Sequence, residues 1–585
     1  MLTFCPKQLL VILFSFGAVS GVYAADATSV PQKKPSSIIR YDTIHHPVKS
    51  NSGMVVSQRI IASEVGASVL AQGGNAVDAA VAVSYALAVL LPRAGNIGGG
   101  GFMLVYLKDQ DKTIAIDYRE TAPKLAHKDL YLLADGSVDR KSYRSGLRSV
   151  AVPGTVAGMD YALSKYGTMS LKAVMQPAID LAKNGFVMDY DTASAIATRE
   201  TMLKKDAAAR ATFFHKDGSL YKASELFVQD DLAQTLGAIA EHGADAFYKG
   251  AVADQIVAKM VKGGGLISHA DLANYTVAER NPIVGSYRGQ KIVSMPPPSS
   301  GGVHVVQMLN ILENFNLQKM GAGSAESLHL VAESMRYAYA DRSKHLGDPD
   351  FYKVPVDWLT SKDYAKQIAN KIDLKRATPS SEVLPGKKSK YESVDTTHFS
   401  VVDKSGNAVS NTYTLNFSFG SGAVVDGAGF LLNNEMTDFN AKAGTADAFG
   451  LIGGAANSIL ANKRPLSAMT PTMVFDNGEL SIVTGSPGGS RIINAVLQQL
   501  INVIDHNMNI ADATHAPRIH HQWQPDRLEV EASISPDTKA ILRAMGHTIK
   551  EAGTMGSLQS ILLEGGQLNG ASDPRRPGAG AIGAQ

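Results

Sequence analysis

The sequence predicts a mixed α+β fold, and three observations support this. Residues 62–72 and 79–91 have helical patterns, and the second is almost wholly apolar, as is typical of a buried central helix. Residues 103–106 and 114–118 have the character of strands, as do two longer runs in the last third of the chain. Residues 480–483 then predict a strand, and residues 490–497 predict the start of a helix. With 585 residues, 45% of them hydrophobic, the chain has ample length for a large core.

Residues 1–24 predict a secretory signal peptide that is removed after Ala24. Lys7 precedes an apolar run that is too short to span a membrane, and small residues precede the cleavage point. Cys5 is the only cysteine, so the mature chain would contain none, which excludes disulfides, thiol catalysis and cysteine-ligated metals. Removal of Lys7 changes the net charge from +2 to +1, which does not indicate nucleic acid or a membrane surface as a partner. The predicted location is the periplasm.

Between the predicted elements lie two polar segments and one glycine-rich segment. Residues 25–52 predict a loose arm, and residues 376–394 predict an exposed loop that is a natural place for a chain break. Residues 98–101 are four consecutive glycines, which suit a place where backbones or a ligand approach closely. Residues 150–290 predict a helix-rich region without a chemical motif, and residues 303–314 predict a further helix.

A predicted hairpin begins at Thr396. Residues 396–403 and 407–419 have strand character, and the three-residue loop between them ends in a glycine where a left-handed backbone is wanted. In this register Thr396 lies directly opposite Thr414, with Cβ atoms roughly 4.5–5.5 Å apart. A two-residue loop would instead place Thr414 opposite Thr397.

This hairpin has two interpretations. Polar residues alternate with apolar ones along the second strand, as in any half-buried strand with its polar face in water. In the chemical interpretation, cleavage after Asp395 exposes Thr396 as a nucleophile. A threonine hydroxyl needs an adjacent base. The freed α-amino group, with a pKa of about 7.7–8.0, would lie on the same residue, and Thr414 would orient both groups.

Ten segments, in order along nearly the whole mature chain, resemble those of the γ-glutamyltranspeptidases. A single motif such as four glycines is a weak signal, but ten in order are specific. The segments are residues 73–80, 94–103, 117–123, 295–302, 396–403, 412–416, 462–467, 484–491, 516–523 and 570–575.

The resemblance implies a four-layer αββα sandwich of the N-terminal-nucleophile hydrolase type. It also implies an inactive precursor that cleaves itself between Asp395 and Thr396 into a large subunit, residues 25–395, and a small subunit, residues 396–585. The two would form one catalytic unit. The implied reaction moves a γ-glutamyl group from glutathione or a similar amide, through an ester on Thr396, to water, an amino acid or a peptide. The partners are small molecules, and no metal or organic cofactor is required.

The resemblance also implies the roles of the site residues. Arg119 would bind the α-carboxylate of the donor, since Arg suits a two-pronged carboxylate contact, and Ser467 would belong to the same subsite. The α-ammonium would face Glu435 and Asp438, with Asn416 helping. Thr414 would assist the nucleophile, and Gly488 and Gly489 would hold the oxyanion. From the residues alone, this glycine pair before a predicted helix fits either an anion-binding turn or a plain tight turn.

The sequence departs from the family pattern at two positions. Ala468 stands where many relatives have a second serine, and Phe449 stands where some have tyrosine, within the lid-like residues 440–449. Both departures affect the expected efficiency and specificity rather than the reaction class. The neighbouring His520 and His521 are interpreted as structural, because adjacent side chains on one element diverge.

Two other functions compete with this prediction. A β-lactam side-chain acylase of the same superfamily would act on glutaryl amides and would have no use for acidic groups facing an ammonium. A periplasmic binding protein for glutamate or glutathione would remain in one piece and would not turn over its ligand. Relative rates on γ-glutamyl and glutaryl anilides distinguish the transpeptidase from the acylase. A denaturing gel distinguishes the cleaved enzyme from an uncleaved binding protein.

Overall fold

The structure is a computed structural model that describes residues 43–383, 396–442, 451 and 453–585. The predicted signal peptide, Asp395 and most of the lid-like segment, including Phe449, lie outside the described residues. All elements below belong to one compact unit, His45–Gln585, and of the other unit, Met1–Ile44, only the last two residues are described. Among the described residues, no helix is both long enough and apolar enough to cross a bilayer.

Two seven-stranded sheets form the centre of the fold, and all neighbouring strands in them are antiparallel. The first sheet contains, in spatial order, Gly580–Gly583, Gly53–Ser57, Thr397–Asp403, Ala408–Thr414, Gly100–Leu107, Lys112–Tyr118 and Ala278–Arg280. The second contains Val48–Ser50, Gln567–Ser572, Gln559–Glu564, Glu479–Thr484, Thr472–Asp476, Gln290–Ser294 and Ile283–Tyr287. Two small sheets are formed by Ile519–His520, Leu528–Glu531 and Ile549–Ala552, and by Phe186–Val187 and Leu226–Phe227.

Alternate residues of the strands face two different cores, one between the two sheets and one between a sheet and its helices. The two sheets therefore stack face to face. Met54 and Val56 share a buried cluster with Met473 of the second sheet, whereas Val55 between them belongs to the cluster that contains the helices on the outer face. On the second sheet, Ile482 likewise faces outward into a helical cluster. Because side chains alternate along a strand, each sheet packs a neighbouring sheet on one face and helices on the other. The αββα sandwich is therefore confirmed.

The helices form the two outer layers. On the side of the first sheet, the longer ones are Ile60–Ala71, Ala76–Leu90, Thr155–Tyr166, Leu171–Asn184, Asp230–His242 and Ala251–Gly263. On the side of the second, they are Gly301–Leu312, Ala325–His345, Lys362–Ala369 and Arg491–Ile504. The other helices are Arg140–Arg144, Tyr190–Thr198, Glu200–Leu203, Ala207–Phe213, Asp245–Tyr248, His269–Ala273, Leu317–Met320, Val356–Leu359, Ile510–His515 and Pro536–Ala544.

The hairpin has the predicted register. Thr397 pairs with Tyr413, and the N–H of Asp403 donates to the carbonyl of Asn407 at 3.0 Å, which closes the three-residue loop. Gly406 has the left-handed φ of 86° that this loop requires. The continuation of this register places Thr396 opposite Thr414, and the alternative pairing with Thr397 is excluded.

The predicted end of the second strand was wrong. The strand ends at Thr414 rather than at residue 419. Asn416 and Phe419 have left-handed φ values of 75° and 64°, which an extended strand does not allow. The alternation of polar and apolar residues continues past the strand, but its apolar residues no longer share one side: Leu415 and Phe419 belong to the core of the first sheet, and Phe417 packs against that of the second.

The polar face of the hairpin is also not in water. Ser400 donates to the carbonyl of Gln559 at 2.8 Å, and Ser410 donates to the carbonyl of Thr484 at 2.9 Å. His398 Nδ1 lies 2.8 Å from the hydroxyl of Thr412. The hydroxyl groups therefore bind the second sheet across the buried inter-sheet layer, and the hairpin is held against it by polar contacts.

Three smaller expectations also need correction. The region predicted to be helix-rich ends in the three strands between residues 278 and 294, and the predicted arm contains the edge strand Val48–Ser50. Gly100 and Gly101 form the start of a strand rather than a loop. The close approach expected at the glycines is confirmed, because a Cβ on Gly99 would lie 2.0 Å from the carbonyl oxygen of Thr414.

We expect Gly99→Ala to lower the melting temperature and to displace the end of the strand that carries Thr414. The carbonyl it would strike belongs to the backbone, so relief requires movement of the strand itself. Gly237→Ala is the matched control, because Gly237 lies in the helix Asp230–His242 with nothing within 4 Å of an added Cβ. Helix propensity should make the control neutral or stabilising, by up to about 1 kcal/mol. Thermal unfolding of both variants checks this, and equal melting temperatures would contradict it.

Candidate active site

Thr396 lies one residue before the strand Thr397–Asp403, where the neighbouring strand ends at Thr414. The two hydroxyl oxygens lie 3.4 Å apart, and both residues are buried. Thr414 Oγ1 also accepts the backbone N–H of Asn416 at 2.8 Å, which holds it in place. The hydroxyl of Thr397 is buried without a partner among the described residues. Of the two adjacent threonines, Thr396 is therefore the one that belongs to a polar site.

Thr396 borders a narrow cavity, in which the volume open to the centre of a water molecule is about 20 Å³. The structure brings together nearly all of the predicted site residues here. Those that line the cavity are Arg119, Thr396, Thr414, Asn416, Glu435, Asp438, Ser467 and Gly489. Gly488 is adjacent in the chain but is not among the lining residues, and Asp395 lies outside the described residues.

A buried guanidinium holds the acidic part of the cavity together. Arg119 follows the strand Lys112–Tyr118, is 1% exposed, and forms ion pairs with Glu435 and Asp438, the second at 2.5 Å. Both carboxylates come from one short 3₁₀ helix, Glu435–Asp438, and not from a solvated loop. Buried charges of this kind persist only when they are paired. The expectation that these residues form one cluster is therefore supported by their geometry.

The electrostatics of the cluster follow from its excess of acidic groups. Burial would by itself lower the pKa of Arg119, but Glu435 and Asp438 raise it overall. Burial raises the pKa of both carboxyls, and Arg119 opposes that rise. Glu120, next to Arg119 in the chain, is a third buried carboxyl near the same guanidinium. Arg342, which lines the same cavity, also opposes the rise in the pKa of Asp438.

Asn416 connects the nucleophile side of the cavity to the acidic side. Its side-chain amide donates to Asp438 Oδ1 at 3.2 Å and to the hydroxyl of Thr437 at 2.6 Å. Asn416 Oδ1 and Glu435 Oε2 are buried, and neither has a hydrogen-bond partner among the described residues. Unsatisfied buried acceptors are rare in native structures and point to a ligand with N–H donors.

Gly488 and Gly489 form the turn before the helix Arg491–Ile504. Their φ values of 138° and 55° favour glycine at both positions. The backbone N–H groups of Gly488 and Gly489 have no acceptor among the described residues. Free N–H groups at the start of a long helix are suited to a developing negative charge.

Ser467 and Ala468 form the opposite wall. The hydroxyl of Ser467 accepts the N–H of Met469 at 3.1 Å, and its backbone carbonyl accepts from the N–H and the hydroxyl of Ser300. Ala468 lines the same cavity and is partly exposed. A serine at this position would therefore have its hydroxyl at the cavity wall.

A family model described as gamma-glutamyltranspeptidase matches residues 62–583. The chain belongs to the gamma-glutamyltranspeptidase family. The glutathione hydrolase proenzyme of Escherichia coli (strain K12) is 52% identical over 550 residues, which is 94% of this chain and 95% of that protein.

Two solved structures show the same relationship at the level of the fold. Cephalosporin acylase from Bacillus halodurans is similar with a TM-score of 0.82 and 27% identity, over 95% of this chain and 99% of that chain. Helicobacter pylori gamma-glutamyltranspeptidase is similar with a TM-score of 0.56 and 45% identity, over 60% of this chain and 99% of that chain. Because acylases and gamma-glutamyltranspeptidases share the architecture, the contents of the cavity have to separate them.

Sequence reasoning missed one buried carboxyl beside the cavity and several residues that line it. Glu120, the carboxyl beside Arg119, lies inside one of the family-like segments, residues 117–123, so that segment contained the signal. Arg342 lies within the long helix Ala325–His345, where no motif marks it, and its Nε donates to Ser300 Oγ at 2.9 Å. The apolar walls were also missed: Leu451, Leu466, Met469 and Ile492. The buried His520 and His521 contact Asn494 and Asp526, respectively, away from this cavity.

We expect Glu120→Gln to change the pH dependence of stability. Burial raises the pKa of Glu120 from 4.5 to about 7, with Arg119 opposing. The stabilising contribution of this carboxyl is therefore fully present below about pH 4.5 and is lost as the pH rises through about 7. The variant should match the wild type near pH 4.5 and become the more stable protein at pH 8, by at most roughly 3 kcal/mol. Thermal unfolding across this range checks the sign, and a variant that weakens as the pH rises would contradict it.

Proposed function

We propose that this chain is a self-processing γ-glutamyltranspeptidase that cleaves γ-glutamyl amides such as glutathione through an ester on Thr396. The γ-glutamyl group then passes to water, an amino acid or a peptide. The observation that carries the proposal is that the guanidinium of Arg119 and the paired carboxylates of Glu435 and Asp438 line one cavity together with Thr396. A γ-glutamyl donor has a carboxylate and an ammonium on its α-carbon, and the two need opposite partners.

The proposed donor replaces contacts that the site residues make with each other. Its α-carboxylate binds the guanidinium of Arg119, which forms ion pairs with Glu435 and Asp438 when no donor is bound. Its α-ammonium then takes those carboxylates and the free oxygen of Asn416. A glutaryl group has no ammonium and would leave the buried oxygens of Glu435 and Asn416 without a donor. The cavity therefore favours the transpeptidase over the acylase.

The proposed reaction needs only groups of this chain. The α-amino group of Thr396, freed by cleavage, takes the proton of the Thr396 hydroxyl as Oγ1 bonds to the γ-carbonyl carbon. The N–H groups of Gly488 and Gly489 hold the oxyanion. The C–N bond then breaks, and the leaving amine receives the proton. Water or an acceptor amine attacks the ester and restores the hydroxyl.

The proposed maturation uses the same hydroxyl. Thr396 Oγ1 attacks the carbonyl of Asp395, the peptide nitrogen leaves as the new α-amino group, and water opens the resulting ester. The products would remain associated. The strand Thr397–Asp403 pairs with Gly53–Ser57, and Ala408–Thr414 pairs with Gly100–Leu107, so each pair joins the proposed small and large subunits.

N-terminal sequencing of the purified protein tests maturation and nucleophile together. We expect two fragments on a denaturing gel, and the smaller should begin with Thr396. The larger should begin at residue 25 if residues 1–24 direct export to the periplasm. Turnover of γ-glutamyl anilide well above that of glutaryl anilide supports the transpeptidase. An intact chain that binds a donor without turnover would support the binding protein instead.

We expect Ala468→Ser to lower the KM for the γ-glutamyl donor. A serine hydroxyl at this wall would add one hydrogen bond near the proposed carboxylate subsite, worth about 0.5–1.5 kcal/mol, or roughly 2- to 13-fold in affinity. The kcat value should change little, because the bond is formed equally in ground state and transition state. Steady-state kinetics check this, and an unchanged or higher KM would contradict it.

A further inference from the structure

A second cluster of chemically competent side chains lies outside the Thr396 cavity. His329 and Glu333 are four residues apart on the helix Ala325–His345 and therefore lie on one face of it. His547 lies between the helix Pro536–Ala544 and the strand Ile549–Ala552. The metal-competent atoms of the three side chains all lie within 4.8 Å of one another, and all three residues are buried. None of them lines the Thr396 cavity.

The surroundings of His329 determine which of its nitrogens is free to bind. Its Nε2 lies 2.8 Å from the backbone carbonyl of Asp373, which can only accept, so Nε2 carries the proton. The lone pair of the neutral ring is then on Nδ1, which lies 2.8 Å from Nε2 of His547. A carbonyl that fixes the far N–H of an imidazole is the usual second contact of a metal-binding histidine.

The other two residues have atoms without a protein partner. Glu333 Oε1 accepts from Arg336 Nε at 3.2 Å and from the N–H of Thr378 at 3.3 Å. Glu333 Oε2 and His547 Nδ1 are buried, and neither has a hydrogen-bond partner among the described residues.

We propose that His329 Nδ1, Glu333 Oε2 and His547 Nε2 form a structural site for a divalent transition-metal ion, with Zn²⁺ the best match. Two imidazoles and a carboxylate are a ligand set that Zn²⁺ accepts readily. When the ion binds, the proton of His547 moves from Nε2 to Nδ1, so the ring stays neutral and no redox step is involved. Burial of the cluster excludes substrate, and the role of the ion is to fix the segment around His547 to the long helix.

The position of the site gives it a specific consequence. His329 and Glu333 precede the proposed cleavage point, and His547 follows it. The ion would therefore link the large and small subunits after cleavage. This consequence rests on the proposed function, whereas the binding of the ion does not.

The test is metal binding by the full-length protein. After treatment with a chelator, the wild type is incubated with Co²⁺ or Zn²⁺ and desalted, and metal is counted by mass spectrometry. We expect about one ion per chain, a visible Co²⁺ absorption band and a higher melting temperature with Zn²⁺. Glu333→Gln and His547→Gln should each lose the band and at least about tenfold in affinity. His520→Gln, which alters a buried histidine outside the cluster, should retain both.

Two results would overturn the site. One is a wild type that holds less than about a tenth of an ion per chain after incubation. The other is a bound ion that both cluster variants retain. Glu333→Gln preserves the size of the side chain, so it serves as the test should His547→Gln fail to fold. If the protein is cleaved and active but binds no metal after incubation, only this site is overturned. If the protein binds metal but remains uncleaved, only the proposed function is overturned.

Discussion

Thr396→Ala is expected to give one uncut chain with no measurable turnover of a γ-glutamyl donor. The substitution removes the oxygen proposed to attack both the Asp395 carbonyl and the donor, so maturation and catalysis should fail together. Loss of a catalytic nucleophile typically reduces kcat by a factor of about 10⁴ or more. A denaturing gel and a γ-glutamyl anilide assay of the same preparation measure both effects.

Thr397→Ala is the matched control for this prediction. The two threonines are adjacent and both are buried, but the Thr397 hydroxyl lies outside the cavity and has no partner among the described residues. This variant should mature and turn over the donor as the wild type does. Thr396→Ser retains a hydroxyl and should mature, at a reduced rate. If Thr396→Ala matured and turned over the donor while Thr397→Ala did not, the assignment of the nucleophile would be wrong.

The hairpin shows which parts of the fold can be predicted from local sequence. Its register depends on a three-residue loop and the left-handed backbone of Gly406, both of which are local properties. The end of the second strand depends instead on where Asn416 turns to reach Asp438, a contact with a segment that lies 22 residues further along the chain. Alternation of residue types contains no information about such a contact, and this explains why the strand was predicted to be too long.

The site shows the same division between local and distant information. The roles of Arg119, Glu435 and Asp438 were predicted from a family resemblance, because their composition is equally typical of solvated surface charges. Only the fold brings Arg119 next to carboxylates that follow it by more than 300 residues, and burial in that fold is the largest cause of the raised pKa values of those carboxyls. One of the two interpretations of the hairpin placed its polar face in water for a related reason. Periodicity identifies two faces of a strand, but it does not reveal that a second sheet covers the polar one.

Arg119→Lys is expected to raise the KM for the γ-glutamyl donor while leaving self-cleavage intact. Lysine retains the positive charge, so the three buried carboxyls are not left without a cation. Its single ammonium, however, lacks the fork that contacts Glu435 and Asp438 together and would receive a carboxylate with two bonds. Loss of one charge-assisted hydrogen bond costs about 1.5–3 kcal/mol, so kcat/KM should fall by roughly 10- to 150-fold.

The two readouts separate a binding role from a structural one. The proposed maturation uses Thr396 and Asp395 and does not involve the donor, so the fraction of cleaved chain should equal that of the wild type. Arg518→Lys is the control, since Arg518 is also buried and pairs with Asp573 but does not line the cavity. It should lower the melting temperature and leave KM unchanged. If Arg119→Lys reduced cleavage as much as it reduced kcat/KM, Arg119 would act by supporting the fold around Thr396, and the donor carboxylate would need another partner.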